Sequence, residues 1–456
     1  MISKMHAKNF KSWADTGELK LAPLTGLFGT NSSGKTSLMQ LLLMLKQTVE
    51  SPDRSRVLHT GDQHTLVDLG TFYDLIHGHK SDAVLDLQLK WELPKALEID
   101  DPKSTQKQLF SLRNLSFKTL VREEDNRVVV DSFGYEFDGH CFGMRRKNSD
   151  VETEREKYDL VHDGYGAKRV KGRVWPLPEP VKCYGFPDEA MGYYQNTGFL
   201  PDFSLEFEKL FRRIAYLGPL REYPRRNYVW AGERPLDVGG KGGSAISALL
   251  ASHGQKSILP LKGKGVGRGK KDVEERIALW LKEMGLIHSF SLKPIAANRK
   301  EYEVRVKKTA SSQEVLITDV GFGVSQILPV LVLCYYAPEG SIILLEQPEI
   351  HLHPAIQSEL ADVLIDAVNT RNVQIIVESH SEHLLRRLQR RVAEQVINAD
   401  NMALYFCQME HSESKIERLD VDMFGNILNW PKDFFGDEMA DIVAMVDAEA
   451  RRKGIR

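Results

Sequence analysis

A chain of 456 residues exceeds what one compact core ordinarily organises, so two lobes, or one domain with a large insertion, are expected. Its 42% hydrophobic and 27% charged residues are those of an ordinary globular protein, and a formal charge of −2 excludes a global field drawing the chain onto nucleic acid or an anionic membrane. Cys141, Cys183, Cys334 and Cys407 form no C-x-x-C pair, which excludes a zinc ribbon or dithiol motif and fits a reduced, cytoplasmic setting. The N-terminal MISKMHAKNFKSW lacks a signal-peptide core, and the apolar run 327–337 falls short of the ~20 residues that span a bilayer, so no membrane association is expected.

In chain order, residues 24–28 read as a short strand, followed by GTNSSGKT and the helix-forming SLMQLLLMLKQ. From 83 to 93 the sequence alternates, with Leu85, Leu87, Leu89 and Trp91 on one face of a half-buried strand. RVVVDSFGYEF follows the turn-forming EEDN and adds an antiparallel partner. Residues 140–201, rich in charge, Gly, Pro and Tyr, read as irregular. YLGPLREYPRRNY comes next, then the Gly/Lys run LKGKGVGRGKK, read as a flexible linker or phosphate contact, and an amphipathic helix over 273–284. EYEVRVKK alternates as a strand does, while SIILLE and VQIIVE are short buried strands of the parallel type. Between them Pro354 opens a helix with Ile356, Leu360, Val363, Leu364 and Ala367 on one face. No repeat and no heptad array is present.

The segment 29–36 satisfies G-x-x-x-x-G-K-[ST] between a strand and a helix. Gly29, Thr30, Asn31, Ser32, Ser33 and Gly34 would turn backbone N–H groups onto phosphates, with Ser37 in the first helical turn. Lys35 would reach the β- and γ-phosphates, and Thr36 would ligate Mg²⁺. In LLEQPEIHLHP, Glu346 ends a buried strand, a costly place for a carboxylate unless it is paired or ligating, and stands where Mg²⁺ is held. Gln347, which follows it, has no useful basicity but can orient water; Glu349 is the reserve base, or else a solvated loop acid. His380, just past VQIIVE, is placed to sense the γ-phosphate. His351-x-His353 and His380-x-x-His383 also suggest a transition-metal cluster, a weaker reading because no cysteine joins them. In GFGVSQ, Gly323, Ser325 and Gln326 would offer donors to phosphate at the start of an apolar helix.

Together these motifs resemble the ATP-binding-cassette heads of the SMC, Rad50 and OLD-like class, and more narrowly the stand-alone bacterial ATPases with an EQPE-x-HLHP acid motif and a C-terminal pattern like ILNWPKDFFGD. The resemblance covers roughly 1–79 and 214–456. It implies an α/β P-loop fold of ABC-head type, with a mixed sheet flanked by helices; the residues themselves show no long coiled coil and read as an antiparallel-strand and irregular insertion over 80–213. The C-terminal part would carry a helical subdomain, the signature, the acid strand and the switch histidine. It implies ATP and Mg²⁺ as cofactors and two heads meeting face to face, the GFGVSQ segment of one completing the ATP site of the other. Asn9, Phe10, Lys11 and Trp13 resemble the early strand that approaches the base, and Gln63 is the candidate glutamine-loop residue, although GFGVSQ departs from LSGGQ.

Without coiled coils or a cluster of nuclease acids, an effector such as a nuclease is expected to be a separate protein. The resemblance implies an ATP-driven switch controlling such an effector, as in bacterial anti-phage systems; a slow-turnover ATP-gated scaffold or a DNA-repair head remain alternatives. The helix after His380 puts Arg386, Arg387, Arg390 and Arg391 on one side, a stripe that fits nucleic acid or, more simply, a solvated face paired with Glu382 and Glu394.

Overall fold

Five strands too apolar to face water on either side assemble into one sheet with cores on both faces. In the computed structural model this sheet runs Ile214–Leu217, Ile342–Glu346, Gln374–Glu378, Leu24–Gly29 and Met402–Glu410, all parallel, with Glu413–Leu419 antiparallel at the edge. The structure describes all residues except 81, 102–103, 148–157, 172–176, 254–271, 432–433, 435–437 and 454–456. LKGKGVGRGKK therefore lies outside the described residues, as does much of KDFFGD.

Strand periodicity divides the sheet's side chains between two cores. Leu27, Leu344 and Ile376 join one, while Phe28, Leu345 and Val377 join the other. The first core contains the helix Lys35–Glu50 and a large antiparallel sheet; the second is built from the helices Ala245–Ser252, Val273–Glu283, Phe322–Tyr336, Pro354–Arg371 and Glu382–Ala393. Pro354 occupies the first turn of its helix, as its missing N–H allows, and Leu360, Val363, Leu364 and Ala367 are buried.

The antiparallel sheet crosses residue 80: the N-terminal strand Ile2–Phe10 pairs with Leu85–Asp101, which continues through Ser104–Glu124, Arg127–Phe137, His140–Arg146 and Tyr158–Asp163. The last two strands fall where the sequence reads as irregular. Their charges are cross-strand partners, with Arg146 on Glu124 at 2.5 Å and Lys147 on Asp159 at 3.2 Å, and so do not mark a loop. Under this sheet lies the helix Leu200–Arg212, which buries Leu200, Phe203, Phe207, Leu210 and Phe211 at helical spacing. Phe207 stands 4.5 Å from Phe117 and 4.7 Å from Tyr184 between ring centroids, and the same helix backs Lys35–Glu50.

The C-terminal region joins the sheet beside the phosphate loop. Phe434 packs edge-on against Phe406 at 4.7 Å and Phe28 at 6.4 Å, and Trp430 at 5.0 Å covers it. Among the described residues no helix is long and apolar enough to cross a membrane, and all four cysteines are free.

Phe207→Ala should cost about 3–5 kcal/mol, as removal of a fully buried ring does, whereas Leu205→Ala on the exposed face of the same helix should change stability by under ~0.5 kcal/mol. Urea unfolding of both variants checks this, and equal effects would contradict the packing.

Candidate functional site

At the end of its strand the chain must turn sharply. Gly29 adopts φ 132°, and a Cβ there would stand 1.9 Å from the Cys407 carbonyl oxygen, so glycine alone fits. Ser32 at φ 59° and Gly34 at φ 85° complete the loop, and the helix starts at Lys35. Thr30, Asn31 and Ser32 are exposed, Ser33 is buried with its hydroxyl on the Thr30 carbonyl at 2.8 Å, and Ser37 is half-buried. Lys35, only 2% exposed, donates to the carbonyls of Thr30 at 2.6 Å and Gly29 at 3.1 Å and to Ser33 Oγ at 3.2 Å. Its ammonium is thus folded into the loop that would cradle phosphate. Trp13 braces the loop from below, donating from Nε1 to the Gly34 carbonyl at 3.1 Å; Trp13 and Phe10 are fully buried, and Lys11 bonds Gln40 at 2.6 Å.

The acid strand brings more than Glu346. Parallel register sets Glu346 directly beside Glu378, the last residue of the next strand. Thr36 Oγ1 donates to both Glu378 oxygens, at 2.8 and 3.0 Å. Burial pushes the Glu346 carboxyl up to about 7, with the neighbouring Glu378 charge adding to the rise and a hydrogen bond from the Tyr216 hydroxyl opposing it. Burial also raises Glu378, against hydrogen bonds from Thr36 and the Gln347 side chain. Glu378 and Tyr216 were not singled out in the sequence. For Glu378 the signal was present, since VQIIVE ends a buried strand on an acid just as SIILLE does. Tyr216 sits in the edge strand Ile214–Leu217, whose pattern does not mark it for function.

Gln347 takes φ 42°, and its N–H donates to the Glu378 carbonyl at 2.9 Å, turning the chain out of the strand. That turn carries Glu349 back over the neighbouring strand end, where Oε1 accepts the His380 N–H at 2.7 Å and the Ser379 hydroxyl also donates to the carboxylate. Glu349 is 7% exposed rather than solvated, and Oε2 has no hydrogen-bond partner. Burial raises its pKa. His380 donates from its ring to the Gly29 carbonyl; burial, then the Lys35 charge, lowers its pKa and keeps the imidazole neutral at pH 7. Lys35, Thr36, Glu346, Gln347, Glu349, Glu378 and His380 therefore form one connected cluster.

Several other expected residues lie elsewhere. Gln63 is exposed, 3.4 Å from His64, and lines a cleft of about 950 Å³ with Tyr216 on its wall. Gly323, Ser325 and Gln326 open the helix Phe322–Tyr336, and Ser325 lines a small cavity with Gly242 and Gly243, away from the phosphate loop of the same chain. Gln326 is 2% exposed with its amide nitrogen unpartnered. The arginine stripe is committed to acids: Arg386 to Glu382, Arg387 to Asp362, Arg390 to Glu394, and Arg391 to Asp362 and Glu394. Arg386 also lies 4.5 Å over Trp430.

Among the described residues no three His, Cys, Asp or Glu converge as a transition-metal cage, and His353 instead caps its own helix, accepting from Ala355 N–H at 3.3 Å. The donor set suits Mg²⁺, which takes one or two carboxylates, a hydroxyl and phosphate oxygens and keeps its remaining waters. Glu346 and Glu378, side by side with both carboxyls raised by burial, are a pair whose crowding such a cation would relieve.

With the loop, acids and histidine in place, comparison with known proteins agrees. The AAA ATPase domain model matches residues 1–162 and 256–385, more than half of the chain. The chain belongs to this AAA ATPase family. Residues 397–445 of this AAA ATPase match a second model, described as a protein of unknown function (DUF3696), which takes in the strand Met402–Glu410 and the docked Phe434. No curated protein matches the sequence. Similar solved structures include an SMC head bound to the C-winged helix domain of ScpA (11% identity, TM-score 0.44, covering 92% of this chain and 98% of that one). Others are an SMC head domain from Thermotoga maritima (10%, 0.40, 92% and 99%) and an Smc head with an extended coiled coil bound to the C-terminal domain of ScpA, derived from Pyrococcus furiosus (10%, 0.41, 98% and 99%). The family match, not these distant likenesses, carries the assignment.

The buried acids have a measurable consequence. The unfolded chain ionises Glu346 near 4.5 while the folded chain keeps its proton to about 7, so across that window the unfolded state binds fewer protons and stability falls as pH rises. Thermal midpoints in EDTA should therefore drop by several degrees from pH ~5 to pH ~7.5, and Glu346→Gln should flatten the drop. A wild-type midpoint that climbs over this range would refute the crowded-acid geometry.

Proposed function

We propose that this AAA ATPase is an ATP-hydrolysing switch that binds ATP with Mg²⁺ on residues 29–36, assembles with a second copy, and controls a separate effector. Lys35 would leave the Gly29 and Thr30 carbonyls for the β- and γ-phosphates, and Thr36 would turn from Glu378 to the cation beside Glu346. The bound cation would draw charge from the phosphate oxygens. His380, neutral and next to Gly29, would donate to the γ-phosphate. The observation that supports hydrolysis is Glu349: one carboxylate oxygen is pinned by the His380 amide, and the other, the buried Oε2, has no hydrogen-bond partner and would take the proton of a water brought to it with the nucleotide.

Assembly through Gly323 and Ser325 of a second copy, and control of an effector such as a nuclease in anti-phage defence, rest on the resemblance carried by EQPEIHLHP and GFGVSQ. A slow, ATP-gated scaffold is the second reading, favoured by the Gln347 side chain being bound to Glu378 and so withheld from water.

Single-turnover hydrolysis separates the two. Wild type should form ADP, Glu349→Gln should slow the step by ~10²–10⁴ while ATP binding survives, and Lys35→Ala should abolish binding. Gln347→Glu, which adds a third carboxylate beside Glu346 and Glu378, should not accelerate it. Tight ATP with no product from wild type would establish the scaffold, and undiminished hydrolysis by Glu349→Gln would remove Glu349 as the base.

A further inference from the structure

The antiparallel sheet that begins with Ile2–Phe10 buries one face, with Met5, Ala7, Leu87, Leu89 and Phe117 in the core, so strand alternation turns the residues between them outward. On that outer face register sets three lysines in a row across three strands: Lys20 of the short strand Leu19–Lys20 pairs with Lys4, and Lys4 with Lys90. The next rung holds His6, Gln88 and Lys118, and the one after it Lys8 opposite Asp86. Like charges directly opposite one another on a sheet repel and cost stability. One acid answers the row: Glu18 bonds Lys4 at 2.6 Å, and the charges of Lys4, Lys20 and Lys90 all bear on it. Among the described residues the ammoniums of Lys20 and Lys90 have no ion-pair or hydrogen-bond partner.

The remaining lysines of the face are held loosely. Lys8 meets Asp15 at 3.0 Å and Lys118 meets Asp86 at 3.4 Å, and with both lysines 44% exposed such pairs contribute little and exchange readily. Five lysines thus stand against Glu18, Asp15 and Asp86, an excess of two positive charges on one face of a chain whose formal charge is −2. Acids resume only at Glu136, beyond Ser116. Next to Lys118 the face is bare, since its neighbour across the strands is Gly134, which pairs in turn with Gly143. The described residues of these rungs include no Phe, Tyr or Trp, so the face offers cations without the stacking platforms that unpaired bases need.

We propose that this lysine-bearing face binds the phosphate backbone of duplex nucleic acid without reading its sequence. Phosphates would supply the anions that Lys20 and Lys90 lack and relieve the repulsion along the row. Lys4, Lys8 and Lys118 would exchange exposed carboxylates for phosphate at little cost. The strand that carries Lys4 and Lys8 leads to Trp13, which donates to the Gly34 carbonyl, so the duplex would lie on the outer side of the element that braces the phosphate loop. The arginines after His380 are a separate surface, each bonded to an acid.

The test titrates the full-length protein, without nucleotide, into a fluorescently labelled DNA duplex of mixed sequence over a range of salt concentrations. Wild type should bind with a Kd on the order of 1–100 µM that weakens steeply with salt and does not change when the sequence is scrambled. Lys20→Gln/Lys90→Gln should weaken binding at least ~10-fold and lower the salt slope by about 2. Its thermal midpoint should hold or rise, because the change removes repulsion and breaks no bond. Arg386→Gln/Arg390→Gln should leave affinity within ~2-fold. The proposal is overturned if wild type shows no salt-dependent binding, if the lysine variant binds as wild type does, or if its binding falls only together with its midpoint. It is equally overturned if the arginine variant alone loses binding, or if single-stranded DNA or poly-glutamate binds at least as tightly as the duplex. Whether wild type hydrolyses ATP bears on none of these readouts.

Discussion

Two carboxylates held side by side at the ends of neighbouring parallel strands set the terms for everything around them. Glu346 and Glu378 are register partners, both buried, and neither can be charged cheaply while the other is. The hydroxyls of Tyr216 and Thr36, the Gln347 amide and the Lys35 ammonium are arranged around this pair, and none of them fully neutralises it. A divalent cation would. The site is therefore electrostatically tense, with its lysine on its own loop carbonyls and its threonine on Glu378.

The sheet bearing that tension is buried on both faces. Each strand is covered on both faces, by the aromatic lobe around Phe117, Phe207 and Phe211 on one side and by five helices on the other. The phosphate-loop strand is held between Gln374–Glu378 and Met402–Glu410, and the second is tied down by Phe434 lying across Phe28 and Phe406. The C-terminal region thus belongs mechanically to the nucleotide site although it carries none of the phosphate-binding residues. Its docking also places Trp430 against Arg386, joining the tail to the helix that follows His380.

What was legible in the sequence was what local pattern encodes. The loop 29–36 announces itself by glycine positions that the backbone needs, and the acid strand by an apolar run ending in Glu346. Glu378 ends the same kind of run but was overshadowed by His380 two residues on, and its role appears only when register sets it beside Glu346. Residues 140–201 read as irregular because short strands bearing Arg145, Arg146 and Asp159 look like charged loop until cross-strand pairing is known. The lysine row was unreadable for a further reason: Lys4, Lys20 and Lys90 lie apart in the chain and become neighbours only through register.

Gln347 then ceases to be an anomaly. A glutamate at that position would be the third acid at one strand end, added to a pair that burial already drives toward protonation. Glutamine removes the charge, keeps a donor for Glu378, and sits at φ 42° to start the turn that runs through Pro348 to Glu349. The turn moves the Glu349 carboxylate away from the crowded pair and over to the His380 amide, where Oε1 is bound and the buried Oε2 has no hydrogen-bond partner. The turn so separates Glu349 from the Glu346–Glu378 pair within one buried site.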